Sequence, residues 1–137
     1  MEPMSLEKMN GYIAMSPFIR DWDIAITEAD PRAQTLTMRM PWCAEGAEAD
    51  GSKVWHGGPV ASLLDTVGAF AATMVAGRDC GTVSLNIDYV RPATGDLVAK
   101  ARVRKAGRTL SMVEVDVTNP DGKLCAVGRG VFYVSGA

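Results

Sequence analysis

From Pro59 to Gly77 the chain carries one ionisable side chain, Asp65, among residues that are otherwise apolar or small. Val60, Leu63, Leu64, Val67, Phe70, Ala71 and Met74 recur at three- and four-residue steps, which predicts a helix with Pro59 in its first turn and Gly77 at its stop. At about 100° per residue, the opposite face holds Ala61, Ser62, Asp65, Gly68, Ala69, Ala72 and Ala76. A helix that is apolar or small all round is buried all round. The rest of the chain must therefore lay a sheet against one side of it, and the small side chains leave room for a close neighbour on the other.

In that setting Asp65 is costly. No Lys or Arg lies within one helical turn, so the carboxylate loses hydration without a local ion pair. An isolated carboxylate of this kind points to function. The plain alternative, a solvated helical Asp, would cost a few tenths of a kcal/mol in propensity and do nothing else.

Directly ahead stand His56, Gly57 and Gly58. Two glycines entering a helix let the backbone come close to a ligand, and the free N–H groups of the first turn point outward at the positive end of the dipole. That arrangement suits a polarised carbonyl oxygen, and a carboxylate two turns further on completes a workable acyl-transfer pair. A simple turn into the helix would also explain two glycines. His56 is the sole histidine and no GxSxG elbow accompanies it, so neither a metal cluster nor a serine triad is indicated. Its expected role is to order the loop, the ring bonding to backbone. A thioester suits so sparse a set of groups, because its thiolate leaves readily with little protonation.

Around the helix the pattern is that of strands. Trp22 to Glu28, Gln34 to Met40, Thr82 to Val90, Asp96 to Ala106, Thr109 to Thr118 and Leu124 to Val134 carry β-branched residues or alternating polarity. Turns at Asp30-Pro31-Arg32, Gly107-Arg108 and Asn119-Pro120-Asp121-Gly122 are too short for parallel crossovers, so the sheet is antiparallel and the class α+β. Ser5 caps a short helix running to Met15, and residues 1–20 form an N-terminal helical segment packing on the rest. Cys43 to Lys53 reads as a loop. With 137 residues and no repeat or linker, residues 1–137 are expected to form one domain.

The formal charge of −2 lacks the basic excess that a nucleic-acid partner needs. No cationic stretch precedes an apolar run at the N-terminus, and no segment reaches roughly 18 apolar residues. No membrane association and a cytoplasmic location are therefore expected. Cys43, Cys80 and Cys125 form no CxxC pair and read as reduced core thiols rather than disulfide or zinc ligands.

The string Trp55-His-Gly-Gly-Pro-Val-Ala-Ser-Leu-Leu-Asp65-Thr-Val-Gly68, followed by Ser84-Leu-Asn-Ile-Asp-Tyr-Val-Arg-Pro-Ala93, resembles the hotdog-fold thioesterases of the phenylacetate-pathway (PaaI-like) group. The resemblance extends in register through Lys105-Ala-Gly-Arg108 to Asp121-Gly-Lys-Leu-Cys-Ala-Val-Gly-Arg129. It implies a long central helix wrapped by a five- or six-stranded antiparallel sheet. It also implies a homodimer with active sites at the subunit interface, dimers that pair again into a homotetramer, and an acyl-CoA substrate with no separate cofactor and no metal. In such enzymes the roles of general base or nucleophile and of thioester-oxygen donor fall on Asp65 and Gly57, from opposite subunits. His56 and Gly58 belong to the same loop, and Thr82 would orient the water or the carboxylate.

Substrate contacts implied by the resemblance are Asn86, Arg91, Pro92, Lys105 and Arg108. The cations would meet the phosphates of coenzyme A, although solvated rim charges would read the same way. Asp50 stands where many relatives carry an Asn that holds the attacking water, and it is a further candidate. Phe70, with Met74 and Met112, is expected to line the acyl tunnel. Two other activities compete with thioester hydrolysis: a hotdog enoyl-CoA hydratase or dehydratase, and a non-catalytic acyl-CoA binding module. A structural dimer with a degenerate site is the bland alternative.

Overall fold

The helix with its single charge is present as α3 (Gly57–Ala76) in the computed structural model, which describes residues 2–136. Pro59 stands in its first turn as expected, behind Gly57 and Gly58, and His56 is its N-cap. Gly77, at φ 72°, closes it in the left-handed region that glycine adopts without strain. Ahead of it lie α1 (Leu6–Met15), α2 (Pro17–Asp21), β1 (Ala25–Asp30), β2 (Thr35–Met40) and a 3-10 turn at Ala44–Gly46. After it come β3 (Cys80–Tyr89), β4 (Leu97–Ala106), β5 (Leu110–Thr118) and β6 (Leu124–Val134).

The six strands make one sheet in the order β1-β2-β4-β5-β6-β3, every pair antiparallel. The strand that follows α3 therefore does not sit beside the next strand in sequence. β3 crosses to the far edge, pairs with β6, and has no strand on its other side.

The sheet curls round α3. Val60, Leu63, Leu64, Val67, Ala71 and Met74 are buried against inward residues of the strands, among them Leu36, Met38 and Met40, whose alternation in β2 is that of a half-buried strand. Gly68, expected on the small outer face, is buried instead. A Cβ there would stand 2.9 Å from the Phe132 ring, so its absence lets α3 settle onto β6. Phe70, counted in the apolar stripe, is half-buried, because the curl of the sheet covers the Gly68 side of the helix rather than the Phe70 side.

Over an 18-residue window α3 reaches a mean hydropathy of 1.5, enough by length and composition to cross a bilayer, which corrects the expectation that no segment does. More than half of that window (56%) is buried inside the chain, as the core helix of a wrapped sheet must be.

The strand expected from Trp22 to Glu28 is displaced. Ser16 and Pro17 start a one-turn helix, with the Ser16 hydroxyl accepting from Ile19 N, and Asp23 at φ 54° turns the chain into β1. α1 starts as expected, Ser5 accepting from Lys8 N, and it is tied to the end of α3 by Met4 N donating to Met74 O at 2.9 Å. Among the three unpaired cysteines, Cys125 is buried in the core. Cys43 and Cys80 are half-buried, which corrects their reading as core thiols, because each lies where an element ends rather than within the sheet interior.

Candidate active site

Three tryptophans fix the approach to α3. Trp55 is buried, its indole N–H donates to Gly95 O at 2.8 Å, and its ring packs edge-on to Trp42 at 4.9 Å and tilted to Trp22 at 6.2 Å. The next residue, His56, donates its main-chain N–H to Gly46 O at 2.7 Å. His56 thus orders the loop through its backbone, whereas the sequence reading assigned that bond to the ring. The ring is exposed and does not cap the helix.

The first turn of α3 consequently offers unclaimed donors. Pro59 has no N–H, and the first intrahelical bond is accepted by the N-cap carbonyl, so Gly57 and Gly58 carry the free amides. Gly57 lines a cleft of about 350 Å³ with Trp55, Val60, Tyr89, Arg91 and Pro92. The Tyr89 hydroxyl donates to Gly57 O at 2.8 Å, and burial pushes its pKa above the ordinary 10.0. Pro92 is held there by Asn119, whose amide donates to Pro92 O at 3.1 Å and accepts from Thr94 N at 2.9 Å. Neither Tyr89 nor Asn119 was singled out from the sequence.

Asp65 lies two turns further on, half-buried, and points toward β3, where the Thr82 hydroxyl donates to Oδ1 at 2.6 Å. Neither ion pair found among the described residues, Arg39–Asp96 and Arg104–Glu114, involves it. Eight residues of helix separate Asp65 from Gly57, about 12 Å along the axis. Within one chain the carboxylate and the free amides therefore do not converge on a single carbonyl.

The remaining candidates are dispersed. Phe70 lies one turn beyond Asp65, in a cleft of about 220 Å³ with Tyr12, Ala69, Thr73, Asp79 and Cys80. Met74 is core and Met112 faces outward from β5, so neither lines that cleft. Asn86 projects from the outer face of β3 into a groove with Asp88, Glu114 and Arg129, away from α3. Asp50 is exposed in the turn before Gly51, which takes φ 76°.

The three cations do not cluster within one chain. Arg91 sits at the level of Cys125 on β6, whose main-chain oxygen accepts from Arg91 N at 3.3 Å. Lys105 pairs through Met112 with Val131, six residues up β6 and so about 20 Å away, and Arg108 follows in the β4–β5 turn. Among the described residues no group of three or more His, Cys, Asp or Glu side chains is placed to hold a metal ion.

Comparison with known proteins places this geometry. Residues 52–126 match the family described as the thioesterase superfamily. The chain is 41% identical to human acyl-coenzyme A thioesterase 13 over 78 residues, which are 54% of this chain and 56% of that one. It is 34% identical to Escherichia coli acyl-coenzyme A thioesterase PaaI over 83 residues, 59% of each. The match thus spans a little under three fifths of the length of these curated relatives. The solved structure of the E. coli PaaI protein superposes with a TM-score of 0.84 at 24% identity, covering 96% of this chain and 93% of that one, a likeness of fold. A central helix inside a six-stranded antiparallel sheet is the hotdog arrangement that the sequence resemblance implied. On the matched residues and on this architecture, the chain belongs to the thioesterase superfamily.

Proposed function

We propose that the protein hydrolyses an acyl-CoA thioester to the free acid and coenzyme A. Asp65 carries this reading: it is the one charged side chain on a core helix, and its hydrogen bond is to a hydroxyl rather than to a cation. The family membership and the names of the two curated relatives support it.

In the proposed reaction the thioester oxygen accepts from the Gly57 amide, with Gly58 beside it, at the positive end of α3. Asp65 takes a proton from water as the water oxygen bonds to the carbonyl carbon, or it attacks that carbon itself and is freed by water in a second step. In the first route the C–S bond then breaks and the departing thiolate takes up the proton from Asp65. In the second the C–S bond breaks as the mixed anhydride forms, before water opens it, and the thiolate takes up a proton of that water. Thr82 holds the carboxylate in one orientation. No metal or redox group enters these steps.

Because the two halves of the machinery stand about 12 Å apart on one helix, the working site needs two chains. The Asp65–Thr82 pair lies at the start of β3 and the Tyr89–Gly57 pair at its end. Antiparallel pairing of two β3 edges about a twofold axis sets the start of one strand against the end of the other, and so brings Asp65 of one chain toward Gly57 of its mate. The same operation moves the Lys105–Arg108 end of one chain toward Arg91 of the other, where the cations suit phosphates. The free edge supports a homodimer, for Val83 (56% exposed), Tyr89 (53%) and Val90 (53%) leave an apolar margin on it. Pairing of dimers into tetramers is the further assembly we expect. The three unpaired thiols suit a reducing, cytoplasmic setting.

The test is coenzyme A release from a panel of aryl- and alkyl-acyl-CoAs, followed with a thiol reagent. Asp65→Ala should lower kcat by about 10² or more, as loss of a general base does. Unchanged hydrolysis would remove Asp65 from the mechanism. Hydration of an enoyl-CoA without thiol release would favour a hydratase instead.

A further inference from the structure

The Gly57–Gly58 turn has a partner that lies outside the helix. The Tyr89 hydroxyl, from the end of the edge strand, donates to Gly57 O at 2.8 Å, and the Tyr89 ring walls the same cleft. The carbonyl of Gly57 and the N–H of Gly58 belong to one peptide unit. A hydrogen bond accepted by that carbonyl draws electron density toward the oxygen and makes the N–H a stronger donor, an effect of order 10–30% per bond. It also adds a side-chain tether to a peptide that otherwise only the helix's own backbone ladder holds. His56 does not cap the turn, and Pro59 contributes no donor to share the load.

We propose that Tyr89 is a positioning residue for carbonyl binding: its hydroxyl orients and polarises the Gly57–Gly58 peptide so that the Gly58 amide joins Gly57 in gripping the thioester oxygen. The assignment rests on the thioesterase reading given above. It adds a residue from β3 to the donor end of the site, so that β3 serves both halves: Thr82 at its start on the carboxylate, Tyr89 at its end on the amides. Like any tyrosine the phenol is protonated through the neutral range, and desolvation shifts its pKa further upward, so it acts as a donor there.

Tyr89→Phe keeps the ring and removes the hydroxyl. For an acyl-CoA that the wild-type protein hydrolyses, kcat should fall about three- to tenfold while KM stays within about twofold and the thermal midpoint drops by no more than about 5 °C. Two inert analogues separate positioning from simple contact. A coenzyme A thioether, which has no carbonyl, should bind the variant as it binds wild type. A trifluoromethyl ketone analogue, whose hydrate mimics the tetrahedral transition state, should bind less tightly by about the factor lost in kcat. A variant with wild-type kcat, or equal weakening of both analogues, would overturn the role assigned to Tyr89 and leave the thioesterase reading standing. Absence of coenzyme A release by the wild-type protein would overturn both.

Discussion

The Thr82 hydroxyl donates to Asp65 Oδ1 at 2.6 Å and ties the one charged residue of α3 to the edge strand β3. A hydrogen bond to a charged group contributes about 1.5–3 kcal/mol, and Thr82 is exposed, so the low end applies. Thr82→Val should therefore reduce kcat about tenfold, with the substrate KM little changed, while Thr82→Ser should keep kcat within about twofold. Steady-state kinetics on one acyl-CoA decides it, and equal rates for Thr82→Val and wild type would mean that the bond does not orient the carboxylate.

Proline at position 57 would delete one candidate donor and set its ring beside Tyr89, which a Cβ there meets at an ordinary 3.5 Å. The site is the first residue of α3, where proline is favoured, and His56 has the extended backbone (φ −62°, ψ 149°) that a following proline accepts. Gly57→Pro should fold and lose about 10² or more in kcat, as removal of one oxyanion donor does. Co-expressed with Asp65→Ala, it tests whether the site spans two chains. Half of the dimers would be mixed, each with one intact site, so about a quarter of wild-type activity should return. No recovery in demonstrably mixed dimers would place both groups in one chain.

The seat of α3 on β6 depends on a hydrogen standing where a methyl would be. Gly68→Ala puts a Cβ 2.9 Å from the Phe132 ring and should destabilise the protein by about 1–3 kcal/mol through overpacking. Phe132→Ala should cost about 3–5 kcal/mol by leaving a cavity. Because the new methyl would partly fill that cavity, the double variant should lose less than the sum of the two. Urea unfolding of the four proteins measures the coupling, and strict additivity would mean that the two residues do not share the packing.

Much of this was legible locally. Leu124–Val134 is an apolar, partly β-branched run that follows the Asn119–Gly122 turn, and β6 has those bounds. Leu36, Met38 and Met40 alternate with polar residues, and all three are fully buried. Such patterns are visible because a strand or helix repeats over a few residues. α2 was not legible, since five residues allow no period to emerge and the Ser16-Pro17 start signal stood alone. Tyr89 and Asn119 were missed for another reason. Their side chains are ordinary, and their partners lie 32 and 27 residues away, a separation that no local pattern reports.

By itself the sequence determined that the stretch after Pro59 must be a buried helix, that Asp65 would be its isolated charge, and that free amides would stand at its N-terminus. Each follows from residue type and spacing alone. The tertiary structure decided where β3 goes. β3 and β4 both carry strand patterns, and nothing in either says which will lie beside β6. That choice depends on how the sheet closes round α3, which sums packing over the whole core. Placing β3 at the edge puts Thr82 against Asp65 and Tyr89 against Gly57, and leaves the outer margin of the strand open.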